Sequence, residues 1–288
     1  MERKGAANIN IFEETDAWEL AQAVNSQNTG KIKKIAKQNP ELLNIQDPEY
    51  EITLLVWAVG MEKFNSVKAL LENGADPDII SGHNGGTALY LAASGVSWRD
   101  RQVHKGTKYI KILLEYGADP NIVCVGSERI TTIGGKYADV GVSPLMNSIT
   151  YGDFEKTKAL VEAGADINHK TENGGTAAID ALLLHGMIDV IESAHYLIVE
   201  KKAIVSEPYY NLIGFLSDDE PNIECYPVDL LRDWMYDLDS EEHKLKMEIV
   251  EEFARQGVDY WATEIPKYTL ETIKERYPDT WEEYIKRY

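Results

Sequence analysis

The sequence predicts an all-α protein: a solenoid of about five to six helix–turn–helix repeats with β-turn or hairpin tips and a helical C-terminal cap. Two observations favour this fold class. The segment 141–168 has the pattern of two short amphipathic helices, and parts of that pattern recur along the chain. Two antiparallel helices of this length cannot bury their apolar faces alone. They therefore need copies of the same unit on either side.

The segment 141–168 contains start and stop signals for both helices. Ser143 can cap the first helix, whose first residue is a proline with its φ preset and no N–H left unpaired. Gly152 is expected to end this helix and Asp153 to cap the second, which should end at a left-handed Gly164. The residues expected to face inward are Leu145, Ile149, Phe154, Leu160 and Val161.

Copies of this unit are recognised by a Gly-Ala-Asp ending and by a Thr or Ser at the start of the first helix. The ending occurs at 74–76, 117–119 and 164–166, and a weaker Gly-Val-Asp form occurs at 257–259. The start occurs at Thr53, Thr87, Ser143 and Thr176. The turns that lead into Thr87 and Thr176 share the tetrapeptide Asn-Gly-Gly-Thr, which indicates a common turn geometry.

This pattern resembles the ankyrin repeat, in which a glycine turn precedes Thr-Pro-Leu-His-x-Ala and the second helix ends in Leu-Leu-x-x-Gly-Ala-Asp-x-Asn. The resemblance is strongest from Glu49 to Asn168, extends to Ala203 and is weaker outside that range. The chain departs from the pattern where Leu54 and Ala88 replace the proline and where other residues replace the histidine. The resemblance implies an ankyrin-repeat solenoid that binds protein.

Three regions are expected. Residues 1–48 form a polar, frayed tail and a degenerate capping repeat, and residues 49–205 form the repeats, with insertions at 95–106 and 123–140. The second insertion has β-branched runs around glycines, which is typical of a β-hairpin or an ordered loop. Residues 206–288 form an acidic, aromatic-rich degenerate repeat and a C-terminal cap. Long loops in a compact repeat array are more often functional than not, so we expect these insertions to have a role. The alternative is that the repeats simply tolerate insertions.

Composition and charge limit the classes of partner. The chain has 288 residues, of which 44% are hydrophobic and 27% charged, as in soluble ordered proteins. The sequence shows neither a secretory signal nor the roughly 18 apolar residues of a membrane span, so we expect a cytoplasmic protein without a membrane partner. A net charge of −19 disfavours nucleic acid and favours a basic protein partner. Acidity that serves only solubility is the alternative.

Motifs for catalysis or cofactors are not recognisable. The six histidines lack zinc spacing, and the Gly-Gly-Lys at 134–136 lacks the upstream glycine of a P-loop. We therefore expect no enzyme activity, no metal and no cofactor. Asp229, Asp233 and Asp237 are expected on one side of a helix, where their repulsion requires either solvent or a cationic partner. The alternative function is an ankyrin targeting arm with a small catalytic or effector domain at 206–288, identifiable by its own pocket with perturbed titratable groups.

The resemblance also implies where a partner binds, on the concave side formed by turn tips and first helices. The variable positions of the family, carried over to this chain, are Glu49, Tyr50, Met61, His83, Asn84, Asp139, Thr150, Tyr151, Glu172, Asn173, Asp233 and Trp234. The insertion at 95–106 adds Trp98 and Arg101. We expect a monomer that binds one dedicated basic protein there, in a role that includes inhibition, as in immunity proteins that mask a toxin.

Overall fold

The computed structural model describes residues 5–126, 132–133, 136–137, 140–185, 190–210 and 223–288. The chain divides into two compact units, Met1–Asp166 and Ile167–Tyr288. Helices dominate the described residues, and the described strands form two small antiparallel sheets. Among these residues, no helix combines the length and the apolar character needed to cross a membrane.

The described part of unit 1 contains four helix pairs. They are α1 (Trp18–Asn25) with α2 (Thr29–Gln38), α3 (Leu54–Gly60) with α4 (Phe64–Glu72), α5 (Ala88–Ser94) with α6 (Lys108–Glu115), and α7 (Pro144–Thr150) with α8 (Phe154–Glu162). The first helices pack in the order α1, α3, α5, α7, and the second helices in the order α2, α4, α6, α8. Each pair thus buries its apolar faces against its neighbours, which confirms the prediction of a stack.

The N-terminal residues are more ordered than the sequence predicted. A 3₁₀ helix spans Ile9–Phe12, and Asn8 caps it by accepting a hydrogen bond from the N–H of Asn10. The side chain of Phe12 is fully buried, and that of Ile11 is 6% exposed. The expectation of a frayed tail is therefore wrong for 9–12, because these apolar side chains belong to the core of unit 1.

Unit 2 continues with shorter and less regular helices. They are α9 (Ala177–Leu183), α10 (Ile191–His195) with a π-helical turn at Tyr196–Glu200, α11 (Pro227–Leu230) with a 3₁₀ turn at Leu231–Asp233, α12 (Glu241–Arg255), α13 (Lys267–Arg276) and α14 (Trp281–Tyr284). Helix α9 packs on α10 and α11, α10 packs on α12, and α13 packs on α14. The break between the last two helices contains Pro278, which cannot continue a helix.

The predicted helix starts are confirmed by their hydrogen bonds. Each cap side chain accepts from the N–H three residues further on, at 3.2–3.3 Å, and the caps are Thr53, Thr87, Ser143 and Thr176. The predicted glycine ends are also left-handed, with φ of +90° at Gly117 and +92° at Gly164. In the fourth repeat Lys202 takes this place with φ of +60°, a conformation that costs a non-glycine residue about 1 kcal/mol.

The two turns that share Asn-Gly-Gly-Thr each accept a backbone hydrogen bond from a later segment of the chain. In unit 1 the N–H of Val125 donates to the carbonyl of Gly85 at 2.8 Å. This contact leads into the hairpin of β1 (Thr132–Ile133) and β2 (Lys136–Tyr137), which confirms the predicted hairpin. In unit 2 the N–H of Tyr210 donates to the carbonyl of Asn173 at 2.8 Å, and β3 (Tyr209–Tyr210) pairs with β4 (Glu224–Cys225).

A repeated side-chain hydrogen bond joins successive repeats within each unit. An Asn or Asp at the end of one repeat accepts from a backbone N–H at the end of the next. The pairs are Asn44 with Asp76, Asp78 with Asp119 and Asn121 with Asp166 in unit 1, and Asn168 with Ile204 in unit 2, at 2.8–2.9 Å. The bond to Ile204 identifies residues up to Ala203 as a repeat, although Gly-Ala-Asp is lost there.

Candidate protein-binding surface

Three of the residues predicted to bind a partner meet in unit 1. The ring of His83 lies edge-on to Tyr50, at 5.4 Å between centroids, and edge-on to Trp98, at 5.3 Å. Such edge-to-face pairs stabilise the arrangement beyond simple burial. The side chain of Tyr50 is only 7% exposed, so its ring supports His83 from below, and the prediction that it contacts a partner directly is wrong. His83 and Trp98 are half-buried and provide the accessible aromatic area.

The insertion at 95–106 places Trp98 through a glycine in α3. The N–H of Trp98 donates to the carbonyl of Gly60 at 2.8 Å. The indole lies so close to this helix that a Cβ on Gly60 would stand 2.5 Å from the Trp98 ring. Met61 follows directly and is half-buried. The glycine therefore holds the tryptophan beside Met61, which is one of the predicted binding residues.

Gly60→Ala is expected to displace Trp98 while leaving α3 helical. Alanine favours a helix over glycine by about 1 kcal/mol, but the overlap with the indole should outweigh this gain and lower the free energy of unfolding by about 1–2 kcal/mol. Tryptophan emission should shift to longer wavelength as the indole becomes exposed. Gly30→Ala in α2 is the matched control, since its Cβ would meet only Asn28 at 3.7 Å. An unshifted emission spectrum in Gly60→Ala would contradict the packing.

Charged side chains fix the rest of the insertion. Glu62, whose side chain is 13% exposed, accepts from Arg99 Nη2 at 2.9 Å and lies 3.2 Å from His104 Nδ1. The other ring nitrogen of His104 lies 3.1 Å from Asp100. The N–H of Gln102, together with His104 and Arg99, holds the pKa of Asp100 well below its usual range. The Asp100 carboxylate is therefore ionised, and these contacts of Glu62, Arg99, Asp100 and His104 hold the loop in place beside Trp98.

The first turn of α8 clamps the same insertion from the opposite side. Lys156 is 1% exposed, and its Nζ donates to the carbonyl of His104 at 2.9 Å. Asp153 accepts from the N–H of Gly106 at 3.0 Å and lies 3.6 Å from Lys156. Burial lowers the pKa of Lys156, and Asp153 opposes this shift. The sequence pattern placed Phe154 and Val161 inward in this helix, but both are half-buried, while Lys156 is buried because the insertion covers it.

The remaining predicted residues of unit 1 lie at the surface or at its edge. Glu49, Asn84 and Tyr151 are half-buried, and Arg101 and Thr150 are exposed. Arg101 has φ of +58° at the tip of the insertion, and the Thr150 hydroxyl donates to the carbonyl of Met146 at 3.3 Å. Asp139 lies outside the described residues. Glu49 precedes Tyr50, Met61 follows Gly60, and Arg101 shares the insertion with Trp98. We use the name Trp98 surface for these predicted binding residues together with His83 and the tryptophan: Glu49, Met61, His83, Trp98 and Arg101.

In unit 2 most of the predicted binding residues make hydrogen bonds within the fold. Glu172 is exposed, and Asn173 donates its side-chain N–H to the carbonyl of Tyr210 at 3.0 Å. Asp233 is exposed and accepts from the Thr269 hydroxyl at 2.8 Å. The prediction that Trp234 binds a partner is wrong. Its indole is 1% exposed, and its N–H donates to the carbonyl of Leu182 at 3.3 Å.

Several exposed aromatic side chains of unit 2 were not among the predicted residues. Tyr210 and Tyr226 are 40% and 47% exposed, and the hydroxyl of Tyr226 donates to Glu224. Tyr210 belongs to β3 and Tyr226 directly follows β4, in a region that the sequence indicated only as acidic and aromatic-rich. Their alternation with buried Tyr209 was a usable signal, because two-residue alternation places every second side chain of a strand on one face.

The most perturbed titratable groups of the C-terminal region lie in its core. Lys246 is fully buried and donates to the carbonyl of Trp234 at 2.8 Å. Arg232 is 3% exposed and lies 3.9 Å from the ring centroid of Tyr260. Burial and the charge of Arg232 lower the pKa of Lys246 to about 6. The buried Lys246 amine cannot reach a substrate in this packing, so its shift gives no support to a catalytic domain at 206–288.

Comparisons with known proteins agree with this architecture. The family model described as ankyrin repeats (three copies) matches residues 20–124. Protein PhlB of Serratia liquefaciens is 30% identical over 175 residues, which are 61% of this chain and 66% of PhlB, just under two thirds of its length. The crystal structure of the human ASB11 ankyrin repeat domain matches with a TM-score of 0.51 and 18% identity, over 85% of this chain and 91% of that one.

The family match, the stacked helix pairs and the capped turns identify the same repeat. The likeness to ASB11 supports the fold alone at this level of identity. Ankyrin repeats are protein–protein interaction modules, so the match indicates a module of this kind. Residues 20–124 of this chain are therefore ankyrin repeats, and the described residues have the mostly helical ankyrin-repeat fold.

Proposed function

We propose that this chain is a cytoplasmic binding protein that captures one basic protein partner on the Trp98 surface of unit 1 and inhibits it. The observation that carries the proposal is the edge-to-face packing of the His83 ring against both Tyr50 and Trp98. Half-buried aromatic side chains held in fixed positions lose little conformational entropy on binding, which is why they are common at the centre of interfaces.

Charge supports a basic partner. The chain has 48 acidic and 29 basic residues, and Glu49 and Glu62 lie beside or within the Trp98 surface. Complementary charge accelerates association and makes it sensitive to salt. The ordered insertion also supports a dedicated role, because it donates hydrogen bonds to Gly60 and Asp153 and accepts one from Lys156, which hold it in place. Simple insertion tolerance would not require such anchoring.

Trp98→Ala is expected to weaken capture of the partner at least tenfold, since a central aromatic contributes about 2 kcal/mol or more to binding. The test is affinity capture from native extract by the immobilised full-length chain at low and high salt, followed by calorimetry with the purified partner. Trp261→Ala is the matched control, because Trp261 is 48% exposed in unit 2. Circular dichroism verifies that both variants are folded.

The proposal requires a stoichiometric partner with a basic surface whose activity falls as the complex forms. Capture should decrease at high salt, and Trp261→Ala should behave as the original chain. If Trp98→Ala binds the partner as tightly as the original chain does, the proposed binding site is wrong. If the partner is acidic and its binding is insensitive to salt, the charge argument is wrong.

A further inference from the structure

An open pocket in unit 2 has no role in the fold or in the Trp98 surface. Its volume is about 380 Å³, which lies in the range of about 300–1,000 Å³ for small-ligand sites. It is lined by Asp237, Leu238, Tyr277, Thr280, Glu283 and Tyr284. Two carboxylates and two tyrosines thus share one pocket with an aliphatic side chain.

The two tyrosines form a rigid wall of this pocket. The rings of Tyr277 and Tyr284 stack at 4.3 Å with 20° between their planes. Tyr284 is 2% exposed, and its hydroxyl donates to the carbonyl of Tyr236 at 2.6 Å. Burial raises the pKa of both tyrosines, so their hydroxyls stay neutral in the physiological range. The ring stack and the Tyr284 hydrogen bond therefore hold this wall of the pocket in place.

The carboxylates leave binding capacity toward the pocket. One oxygen of Asp237, Oδ1, accepts from both the Tyr277 hydroxyl at 2.6 Å and Arg276 Nη2 at 2.9 Å. The Tyr277 hydrogen bond and the Arg276 charge hold the pKa of Asp237 below its usual value. Glu283 is exposed, and its carboxylate makes no hydrogen bond or ion pair to any residue within the described ranges. Two carboxylates therefore line the pocket, and one guanidinium, that of Arg276, pairs with one of them.

We propose that this pocket binds an arginine side chain of a protein partner. A guanidinium is planar, can pair with a carboxylate through two N–H groups and lies favourably beside aromatic rings. Arg276 already shows that this chemistry is accepted here, since it pairs with Asp237 and lies 5.4 Å from the Tyr277 ring centroid. The partner's basic character rests on the proposed function, whereas the affinity of the pocket for a guanidinium can be tested by itself.

The test is an NMR titration of the full-length chain with Nα-acetyl-arginine amide. We expect saturable shifts of the backbone N–H signals of Leu238, Thr280 and Glu283. Nα-acetyl-citrulline amide, which has nearly the same shape without the charge, should give none. Glu283→Gln should weaken binding about threefold to fivefold, as for a partly solvated ion pair. Glu282→Gln is the matched control, because Glu282 is exposed and does not line the pocket.

Three outcomes would overturn the pocket assignment. The first is the absence of saturable shifts, and the second is equal affinity for Nα-acetyl-citrulline amide. The third is a loss of affinity in Glu282→Gln equal to that in Glu283→Gln, which would assign the binding to diffuse negative charge. These outcomes are separable from the proposed function. If the partner is still captured through Trp98 while the arginine probe fails, only the pocket assignment is lost. If the probe binds and no partner exists, only the proposed function is lost.

Discussion

Asp180→Asn is expected to stabilise the chain at neutral pH and to leave its stability unchanged near pH 4. Asp180 lies in α9 as a half-buried carboxylate, with no hydrogen bond or ion pair to another residue in the described part of the chain. Burial raises its pKa from 3.8 to about 7. Because the folded chain holds this proton more tightly than the unfolded chain, stability falls as pH rises from about 4 to 7 and is constant above that range.

The size of this effect follows from the pKa difference. The upper limit is about 4 kcal/mol, and the remaining solvent exposure of the side chain reduces it, so we expect a gain of about 1–3 kcal/mol at pH 8. Urea unfolding at several pH values measures it. Asp16→Asn, at an exposed site in unit 1, is the control and should change little. A gain for Asp180→Asn that is equal at pH 4 and pH 8 would show that the carboxylate's charge is not the cause.

Lys246→Met is expected to stabilise the chain with the opposite pH dependence. The Lys246 amine lies 4.2 Å from the Tyr288 ring centroid and 5.3 Å from that of Tyr260, and within the described ranges it forms no ion pair. Burial, followed by the charge of Arg232, lowers its pKa from 10.5 to about 6. The unfolded chain therefore binds this proton more tightly, and stability is lost as pH falls from about 10.5 to 6.

Methionine keeps the apolar stem and its contacts with the rings, and loses only the hydrogen bond to Trp234, which contributes about 1 kcal/mol. The pKa difference sets an upper limit of about 6 kcal/mol, so we expect a net gain of about 2–4 kcal/mol at pH 7 that fades toward pH 10. Lys244→Met, two residues earlier on the exposed face of α12, is the control. Destabilisation at pH 7 by Lys246→Met would mean that the buried amine stabilises the fold in its charged form.

Regular spacing explains why the repeats were predictable. A Ser or Thr cap, a left-handed glycine and the apolar positions between them determine a helix pair locally, so α3 to α9 followed from residues such as Ser143 and Gly164. The fifth repeat broke this rule. Helix α11 has only four residues and tightens into a 3₁₀ turn that ends at Asp233. The predicted binding positions Asp233 and Trp234 therefore lie at the end of this turn and directly after it, and the Trp234 side chain is buried in the core.

The aspartate row failed for the same reason. Asp237 lies after the end of the helical turns, and it pairs with Arg276 and Tyr277. Charge counting could not reveal these internal partners, since they lie about 40 residues away in the sequence. The contact of Trp98 with Gly60 could not be predicted from the sequence either. A glycine at the end of a helix indicates where the helix stops, but it does not indicate which side chain packs against it.

Photo-crosslinking from the Trp98 surface tests the central claim most directly. p-Benzoylphenylalanine at Met61 lies next to Trp98, whereas the same residue at the exposed Lys68 of α4 serves as the control. Irradiation of the complex with its partner, followed by mass spectrometry, identifies which position crosslinks. We predict a crosslink from position 61 to a basic segment of the partner and none from position 68. A crosslink from position 68 alone would contradict the proposed surface.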